Sequence, residues 1–377
     1  MSSHRARAEA LIDLSAIEYN IKRLLSGTKA DGLAVVKADA YGHGLVPVAK
    51  RALSAGAKWL GTALLEEAIT LRDASIDSPI IAWLTPINDD FESAIQKRID
   101  LAVPSIDHLL AVMKSSETVG ISPRIHLEVD TGMSRGGALK EWNSLLTETA
   151  KFAKSGKLEV IGIWSHFARA DEPGHSFNEE QRENFNLRVV EARELEIVPK
   201  LLHLSNSAAT LSNSSAHFDL VRLGIAMYGL SPDVESMGGS ESLNLKPAMS
   251  LRSQLHLVKD VPAGSQVGYG GTATTSSNTK LGVVAMGYAD GVPRNANSNV
   301  GVLVGNRRAP IIGRVSMDQF VVEIGNDSVA HAGDWAYLIG SEGGDGYTAD
   351  AWAKACGTIN YEIVTRIGPR VPRIFIN

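Results

Sequence analysis

The 377-residue sequence predicts an α/β plus β protein, with an N-terminal (β/α)8 barrel of the TIM type and a mostly-β C-terminal domain. Short apolar runs alternate with longer amphipathic stretches in the first part of the chain, a pattern typical of parallel strands joined by helical crossovers. Eight such units suit a closed barrel, and the Gly-x-Gly-x-x-Gly turn of the competing open sheet is missing. We therefore predict a barrel over residues 11–236 and a β-rich domain over residues 243–377, to which residues 1–10 could belong.

The barrel elements follow from the spacing of apolar residues. A helix over Ser15–Leu25 is predicted before the first strand. The eight strand candidates are Leu33–Lys37, Trp59–Ala63, Ile80–Leu84, Leu101–Val103, Arg124–Val129, Val160–Phe167, Leu201–Ser205 and Leu220–Leu223. Helical spacing predicts crossovers at Pro47–Ala55, Leu65–Asp73, Ile106–Lys114 and Asn178–Leu195.

The C-terminal domain begins after a change in composition. Proline, glycine and serine residues over 231–246 mark a linker. Short β runs then alternate with turns, at Met249–Val258, Lys280–Met286, Gly301–Val304, Pro310–Ile312, Phe320–Ile324 and Trp335–Ile339. A short helix is predicted at Ala349–Cys356.

Composition excludes several classes of partner. The net charge of -5, from 37 basic and 42 acidic residues, gives no reason to expect nucleic acid or an anionic membrane. The single cysteine, Cys356, excludes an intrachain disulfide and fits a reducing compartment. No apolar run approaches the length of a membrane span, and the polar N-terminus lacks a secretory signal. We expect a cytoplasmic protein that binds no metal.

A lysine inside an apolar run is the most unusual feature of the predicted first strand. Burial of Lys37 would lower its pKa and make the amine a nucleophile or base. Tyr41, Gly42 and Gly44 follow, and the glycines permit a tight loop close to a ligand. A lysine in this setting suits a Schiff base with a carbonyl cofactor. The alternative is an ammonium group that extends from the strand end into solvent.

Polar residues cluster at the predicted carboxyl ends of the strands, where barrel enzymes build their active sites. They are Lys37, Glu128, Asp130, Arg135, His166, His203, Asn206, Ser207, Arg222 and Gly224. Ser207, Gly224 and Ile225 could bind a phosphate after the last two strands, a common position for one in barrels. A phosphate there and an aldehyde-reactive lysine on the first strand fit pyridoxal 5′-phosphate.

Ordered motifs along nearly the whole chain resemble the alanine racemase family of barrel-type pyridoxal phosphate enzymes. Besides the Lys37 segment they are Asp130-Thr-Gly-Met-Ser-Arg135, Ser165-His-Phe-Ala168, Asn206-Ser-Ala-Ala209, Arg222-Leu-Gly-Ile-Ala-Met-Tyr-Gly229, Val267-Gly-Tyr-Gly270, Gly287-Tyr-Ala-Asp-Gly291, Gly313-Arg-Val-Ser-Met-Asp318, Asn360-Tyr361 and Arg370-Val-Pro-Arg373. The resemblance implies racemisation of L- and D-alanine, which in a bacterium supplies D-alanine for peptidoglycan.

The resemblance also implies two catalytic bases on opposite faces of the substrate Cα, Lys37 and Tyr269. Lys37 would carry the cofactor covalently. A tyrosine is a poor base at neutral pH because its ordinary pKa is near 10. The resemblance implies that His166, linked to Arg222, stabilises the phenolate, while Arg222 faces the pyridine nitrogen of the cofactor.

Further binding roles are implied by the same motifs. The implied cofactor ligands are Lys37, Tyr41, His166, Asn206, Ser207, Arg222, Gly224, Ile225 and Tyr361. The implied substrate ligands are Arg135, Met317, Asp318, Tyr288 and Tyr361, and the two tyrosines would form a narrow entrance. A head-to-tail homodimer with shared active sites is implied, in which Tyr269, Tyr288 and Met317 reach the partner's barrel.

Two positions depart from the commoner family pattern. Glu128 stands where many members have a lysine that becomes carbamylated, so we predict that no carbamylation and no CO₂ are needed. Because glutamate is shorter, water or an anion could fill the gap to Arg135, and Glu128 could instead be a structural ion-pair partner. Ser316 replaces a frequent cysteine, with little expected consequence.

Three alternatives stay open. A racemase of the same fold could act on serine or on a broader range of substrates. A barrel-type decarboxylase would pair the pyridine nitrogen with an acidic residue, and Arg222 argues against it. A non-catalytic pyridoxal phosphate-binding protein would resemble the barrel alone, and the second domain with Tyr269 argues against it.

Overall fold

The computed structural model describes residues 6–341 and 345–377, which form two compact units. The barrel unit comprises Ala16–Ala40 and Leu45–Lys246. The β unit comprises the described parts of Met1–Ser15, Tyr41–Gly44 and Pro247–Asn377. Strand β1 (Ala8–Asp13) belongs to the β unit, and strands and helices are numbered from it along the chain.

Eight parallel strands form the barrel, and the first seven pair in chain order, each with the next. They are β2 (Asp31–Val35), β3 (Trp59–Thr62), β4 (Ile80–Ala82), β5 (Asp100–Val103), β6 (Arg124–Glu128), β7 (Glu159–Trp164), β8 (Leu201–His203) and β9 (Leu220–Leu223). Strand β9 also pairs with β2. Backbone hydrogen bonds from Asp219 to Leu202 (3.1 Å) and from Arg222 to Ser205 (3.0 Å) bridge β8 and β9, so the barrel is nearly closed.

Helices connect the barrel strands as the alternating pattern predicts. They are α1 (Leu14–Leu25), α2 (Lys37–Gly42), α3 (Leu45–Ser54), α4 (Leu65–Asp73), α5 (Phe91–Gln96), α6 (Ile106–Val119), α7 (Trp142–Lys154), α8 (Ser176–Glu194), α9 (Ser207–Ser212) and α10 (Val234–Met237). Among the described residues, no helix has the length and apolar character needed to cross a bilayer.

Several barrel strands end earlier than the sequence predicts. Strand β2 ends at Val35, so Lys37 is not a strand residue but the first residue of α2. Strands β7 and β8 likewise end before His166 and Asn206. The apolar runs extend past the strand ladder because residues such as Val36 and Leu204 remain fully buried in the following loops.

The interior of the barrel contains aromatic and imidazole rings where aliphatic side chains are more usual. The strand register aligns Glu128 with Trp164 and Trp164 with His203, which places them in one row. The rings of Trp164 and His203 stack at 5.7 Å with an interplanar angle of 5°. Glycines make room for such rings, since a Cβ on Gly61 would lie 2.4 Å from the Trp83 ring. The barrel therefore holds a polar core beneath its strand ends.

The β unit contains an eight-stranded sheet in which β10 (Met249–Val261) pairs with three other strands. The remaining elements are β11 (Gln266–Val267), β12 (Ala273–Thr274), β13 (Thr279–Val284), β14 (Gly301–Val304), β15 (Arg307–Pro310), β16 (Phe320–Glu323), β17 (Trp335–Ile339), α11 (Ala349–Cys356), α12 (Asn360–Thr365) and β18 (Arg373–Ile376). With β1, β10, β13 and β17 among its paired strands, this unit confirms the mostly-β prediction.

The sequence interpretation missed elements at both ends of the chain. Strand β1 extends across the predicted barrel boundary at residue 11 and pairs with β10 and β18. Its buried residues, Ala8, Ala10 and Ile12, alternate with half-buried ones. The strand predicted at Pro310–Ile312 lies instead at Arg307–Pro310.

Candidate active site

The segment that carries Lys37 forms a left-handed helical turn. The four residues after Lys37 have φ angles of 52–53°, and Gly42 follows at 77°. Consecutive non-glycine residues in this region are rare because each Cβ crowds the following carbonyl oxygen, at a cost of about 1–2 kcal/mol per residue. Backbone strain of this kind concentrates at functional sites. The turn is therefore a specialised support for the lysine.

Side-chain carboxylates hold this turn in place. Glu67 accepts a hydrogen bond from the Ala38 backbone N–H at 2.6 Å and from the Ala63 N–H at 3.0 Å. Asp39 accepts from the Leu45 N–H at 2.7 Å. The bond to Ala38 offsets part of the strain because it satisfies a backbone donor of the turn, and the other two tie the turn to the residues after β3 and at the start of α3.

The amine of Lys37 has an environment that favours its neutral form. Burial lowers its pKa below the ordinary value, and the positive charges of Arg135 and Arg222 lower it further, against an opposing effect of Glu67. Its Nζ lies 5.9 Å from the centre of the Trp83 ring. An amine with a lowered pKa is a better nucleophile and base at neutral pH.

Arg222, at the end of β9, is almost completely buried and surrounded by acceptors. Its Nη2 donates to the backbone oxygens of Ser165 (2.9 Å) and Leu204 (3.0 Å) and to Nδ1 of His166 (3.1 Å). Its Nη1 donates to the backbone oxygen (3.1 Å) and Nδ1 (3.2 Å) of His203. Within the described residues its Nε–H has no acceptor. Burial lowers the pKa of Arg222 to about 9, so the group remains charged at neutral pH.

His166 is held neutral, with a defined tautomer. Burial, followed by the charges of Arg222, Arg135 and Lys37, places the pKa of His166 well below its ordinary value. Arginine can only donate hydrogen bonds, so Nδ1 of His166 must be the acceptor in its contact with Arg222. The ring proton is therefore on Nε2, which remains available as a donor.

Glu128 lies at the end of β6 without a direct charged partner. Burial raises the pKa of Glu128 to about 7, although Arg222 and Arg135 oppose the shift. The described residues provide no ion pair to its carboxylate. A Cβ on Gly136 would lie 2.8 Å from Oε1 of Glu128, so the glycine makes room for this carboxylate beside Arg135.

The loop after β6 presents Arg135. Oδ1 of Asp130 accepts from the backbone N–H groups of Gly132 (2.9 Å) and Ser134 (3.1 Å), which shapes the loop. Gly137 has a φ of 94°, and a Cβ there would lie 2.6 Å from the Asp130 nitrogen. Arg135 is exposed and has no hydrogen bond or ion pair to any described residue, so its guanidinium is available for an anion.

Ser207 and the loop after β9 form a compact polar cup. Asn206 caps α9, since its side chain accepts from the Ala209 N–H at 3.0 Å. Oγ of Ser207 accepts from the N–H groups of Gly224 (2.8 Å) and Ala226 (3.3 Å). Two amides of the same loop thus converge on one hydroxyl, which is the kind of donor cluster that binds anions.

Tyr41 and Tyr361 come together within the β unit, with ring centres 6.2 Å apart. Burial raises the pKa of Tyr41. Gly42 makes this approach possible, because a Cβ there would lie 2.4 Å from the backbone oxygen of Val364 in α12. The two predicted phosphate ligands are therefore neighbours.

Tyr288 and Met317 are joined by backbone hydrogen bonds. The Tyr288 N–H donates to the Ser316 oxygen at 3.0 Å, and the Ala289 N–H donates to the Met317 oxygen at 2.9 Å. Fully buried Asp290 caps the Tyr288 turn by accepting from the Gly287 N–H at 2.9 Å. The two predicted substrate ligands thus belong to one rigid pair of turns.

Asp318 and Tyr269 complete the predicted set in the β unit. Asp318 accepts a hydrogen bond from Arg370 at 2.8 Å, and Arg370 also lies 3.2 Å from Asp290. Tyr269 lies in a glycine-rich turn and its side chain is 71% exposed. Among the described residues it has no hydrogen-bond partner.

Trp164 and Glu67 are among the barrel residues that the sequence interpretation missed. Trp164 packs against the Arg222 guanidinium, with 5.1 Å between the ring centre and Cζ, and Glu67 clamps the Lys37 turn. Glu67 also accepts from the Leu64 N–H at 3.1 Å, as in one half of a capping box, but Leu64 has no side-chain oxygen to complete the box, so the spacing carries no signal in the sequence. Charge interactions bring Lys37, Glu128, Arg135, His166 and Arg222 together.

The barrel and its site define a class of protein, the barrel-type enzymes that work with pyridoxal 5′-phosphate. A lysine amine with a lowered pKa suits a covalent link to an aldehyde. The free Nε–H of Arg222 suits a ring nitrogen acceptor, and the Ser207 cup suits a phosphate. The donor set thus fits the cofactor.

Comparisons with known proteins identify the family. The N-terminal and C-terminal domain models of alanine racemase match residues 12–232 and 248–375. The alanine racemase of Salinispora arenicola is 48% identical over 371 residues, which cover 98% of both chains. A crystal structure of alanine racemase from D-cycloserine-producing Streptomyces lavendulae matches with a TM-score of 0.96 and 44% identity, covering 100% of this chain and 98% of that one.

The structure of the Bacillus anthracis alanine racemase with bound L-Ala-P matches with a TM-score of 0.90 and 36% identity, covering 100% of this chain and 96% of that one. The chain belongs to the alanine racemase family. Members of this family depend on pyridoxal 5′-phosphate.

Proposed function

We propose that this protein is an alanine racemase that interconverts L- and D-alanine with two bases, Lys37 and Tyr269. The observation that carries the proposal is the constellation around Arg222: a buried guanidinium, a neutral imidazole and an amine with a lowered pKa, gathered at the barrel's strand ends. Pyridoxal 5′-phosphate, when bound, withdraws electrons from the substrate Cα and makes its proton removable. The following roles belong to the chain's own residues.

Arg222 would donate its remaining Nε–H to the pyridine nitrogen. The guanidinium keeps its proton at neutral pH, because a pKa of about 9 leaves it charged. The nitrogen would therefore accept a hydrogen bond without being protonated. A carboxylate at this position would instead favour a protonated ring, as proposed for decarboxylases of the same fold.

Lys37 would hold the cofactor and move a proton on one face of Cα. Tyr269 would act on the other face, and its phenolate needs a donor because an isolated tyrosine is a weak base at neutral pH. His166 can supply that donor, since Arg222 occupies Nδ1 and leaves the proton on Nε2. We propose that the Tyr269 that meets His166 comes from a partner subunit.

The substrate carboxylate would bind Arg135, whose guanidinium is exposed and has no partner among the described residues, and the Met317 backbone N–H. Asp318 would orient that turn through its bond to Arg370. Glu128 would supply a carboxyl group beside Arg135 without carbamylation, and its negative charge would develop as the pH rises through about 7. Tyr288 and Tyr361 would form a narrow entrance that favours a methyl side chain.

The phosphate would bind Ser207, Gly224 and Ile225, with Asn206 fixing the start of α9. Tyr41 and Tyr361, which pair within the β unit, would donate their hydroxyl groups to the same phosphate. This arrangement would place the phosphate away from the reacting carbon and anchor the cofactor by its far end.

The assembly we propose is a homodimer with shared active sites, located in the cytoplasm. The exposure of Tyr269 (71%) and Met317 (54%) supports it, because it leaves both residues accessible to a partner subunit. In a bacterium the product D-alanine would serve peptidoglycan synthesis, and disruption of the gene should then create a requirement for D-alanine.

The decisive test follows the α-proton of alanine in deuterated water. The holoenzyme should exchange that proton and form D-alanine from L-alanine. Tyr269→Phe should lower the racemisation rate by about 10²–10⁴-fold, the usual contribution of a general acid–base group. Tyr19→Phe is the matched control, since among the described residues its hydroxyl bonds only to the exposed Asn244.

A cofactor absorbance without α-proton exchange would overturn the proposal and favour a non-catalytic pyridoxal phosphate-binding protein. The same assay on a panel of small amino acids separates alanine from serine and from a broader specificity. A faster rate with serine would assign the alternative substrate.

A further inference from the structure

A chain of buried hydrogen bonds runs through the barrel from Arg222 to the start of β5. Nη1 of Arg222 lies 3.2 Å from Nδ1 of His203, Nε2 of His203 lies 3.0 Å from Nδ1 of His126, and Nε2 of His126 lies 3.3 Å from Oδ2 of Asp100. At the far end of these hydrogen bonds, Arg124 donates to both carboxylate oxygens of Asp100, at 2.6 and 3.0 Å. Asp100, His126 and His203 have at most 1% exposure.

Elementary hydrogen-bond chemistry fixes the direction of every link. A guanidinium has no acceptor, so Nδ1 of His203 must accept and its proton must be on Nε2. Nε2 of His203 then donates to Nδ1 of His126, whose proton is in turn on Nε2 and points to Asp100. A single pair of neutral tautomers satisfies the whole chain. Burial, the largest cause, and the charge of Arg222 hold the pKa of His203 well below its ordinary value, which agrees with a neutral ring.

The carboxylate at the far end is kept ionised. Burial alone would raise the pKa of Asp100, but hydrogen bonds from His126 and Arg124 outweigh it and the pKa is lowered. Every donor in the chain therefore points towards a fixed negative charge. In a medium of low dielectric, the hydrogen bonds of such a chain polarise one another and together fix the orientation of the side chains that make them.

The barrel is built around this chain. A Cβ on Gly162 would lie 2.4 Å from Nδ1 of His126, so only glycine leaves room for the ring between β6 and β7. Trp164 stacks on His203, and Trp59 packs edge-on against His126 with ring centres 5.5 Å apart. These contacts leave the two imidazoles little freedom to rotate.

We propose that Asp100, His126 and His203 are positioning residues that hold Arg222 in one orientation and provide its remote counter-charge. Arg222 has no carboxylate in direct contact among the described residues, and the chain connects it to one through two neutral rings. With Nη1 held by His203 and Nη2 by backbone oxygens, only Nε–H remains for a ligand. The inference rests on the proposed function in one respect, that this ligand is the pyridine nitrogen.

Neutron diffraction from deuterium-exchanged crystals of the holoenzyme tests the chain itself. Deuterium should be found on Nε2 of both His126 and His203, and on neither Nδ1. A doubly protonated ring or the opposite tautomer at either histidine would overturn the proposal. This outcome does not depend on substrate, so it is separate from any failure of the racemase assignment.

Substitution of Asp100 tests its influence on Arg222. Asp100→Asn keeps an acceptor oxygen for His126 but removes the charge, and it should lower kcat by about tenfold and shift the visible absorbance of the bound cofactor. Glu191→Gln, which removes the exposed charge paired with Arg188, is the control and should change neither. A lowered thermal midpoint with kcat and absorbance unchanged would mean that Asp100 is only structural.

A second pair of variants covers the case in which Asp100→Asn does not fold. His126→Gln can accept from His203 and donate to Asp100, so it should retain at least about tenfold more activity than His126→Leu. Equal activity of the two variants would show that the hydrogen bonds made by residue 126 do not support catalysis, which would contradict the proposal. If Arg222→Lys also left the cofactor absorbance unchanged, the assignment of Arg222 to the pyridine nitrogen would fail instead.

Discussion

At the scale of single residues, Glu128 is the acidic group of the candidate site whose pKa is most changed by folding. Its carboxyl has an ordinary pKa of 4.5, and burial raises the folded pKa to about 7. Between these values the folded protein keeps a proton that the unfolded chain releases. The resulting stabilisation is fully present below about pH 4.5 and is lost as the pH rises through about 7.

We therefore expect the stability of the protein relative to Glu128→Gln to fall between about pH 4.5 and about pH 7. The glutamine removes the titration but preserves the shape of the side chain. Urea unfolding of both proteins across this range measures the difference. Parallel curves would show that Glu128 titrates normally, and an unchanged KM for alanine in the variant would favour a structural role.

A second prediction at this scale concerns Gly162. A Cβ there would meet three ring atoms of His126 at 2.4–3.2 Å, between two paired strands that cannot separate. Gly162→Ala should destabilise the protein by about 1–3 kcal/mol, as expected for overpacking. Gly239→Ala is the control, since an added Cβ there meets no described atom within 4 Å and should be near neutral. Denaturant unfolding checks both, and equal effects would contradict the crowding argument.

At the scale of elements, the left-handed α2 turn makes an unusual prediction. Ala38 is exposed and has a φ of 52°, a conformation that costs alanine about 1–2 kcal/mol and glycine almost nothing. The added freedom of glycine in the unfolded chain offsets about 0.4–1 kcal/mol of that gain. Ala38→Gly should therefore leave stability unchanged or raise it by up to about 1.5 kcal/mol.

The matched variant is Ala111→Gly in the right-handed helix α6, which should lose about 1 kcal/mol. The opposite response of two identical substitutions isolates backbone handedness as the cause. Urea midpoints of both variants measure it. A loss at Ala38 equal to that at Ala111 would show that the turn is not strained in solution.

The elements also show what local sequence can and cannot predict. The positions of the barrel strands follow from alternation, and Leu220–Leu223, Leu65–Asp73 and Trp335–Ile339 are confirmed at their exact bounds. The sequence prediction extends β2 and β7 too far at their carboxyl ends, because the side chains stay buried beyond the last hydrogen bond between paired strands. The α2 turn could not be predicted, since alanine and aspartate ordinarily favour the right-handed region.

The residues of the candidate site likewise divide into those that the sequence predicts and those that only the structure reveals. Lys37, His166 and Arg222 were found because charged groups in apolar strands are unusual, and the barrel brings them together. Asp100 and His126 were not singled out, because a lone polar residue in a strand has an ordinary structural explanation. Only the three-dimensional register shows that they form one chain with His203.

At the scale of the whole molecule, the proposed homodimer makes each active site depend on two chains. Lys37 would act with the Tyr269 that a second copy supplies, and Tyr269 is 71% exposed. A closed two-fold assembly would repeat the same arrangement at both sites. Inactive variants of the two residues can therefore complement each other, which a site confined to one chain does not allow.

We expect Lys37→Ala and Tyr269→Phe proteins, each nearly inactive, to recover activity when they are dissociated, mixed in equal amounts and reassociated. A mixed dimer combines both defects in one site and leaves the other site intact, and random pairing makes about half of the dimers mixed. Racemisation should therefore reach about one quarter of the rate of the unsubstituted protein. Tyr19→Phe mixed with Tyr269→Phe controls for dilution and subunit exchange. No recovery in the first mixture, with exchange demonstrated by mass spectrometry, would mean that both bases come from one chain.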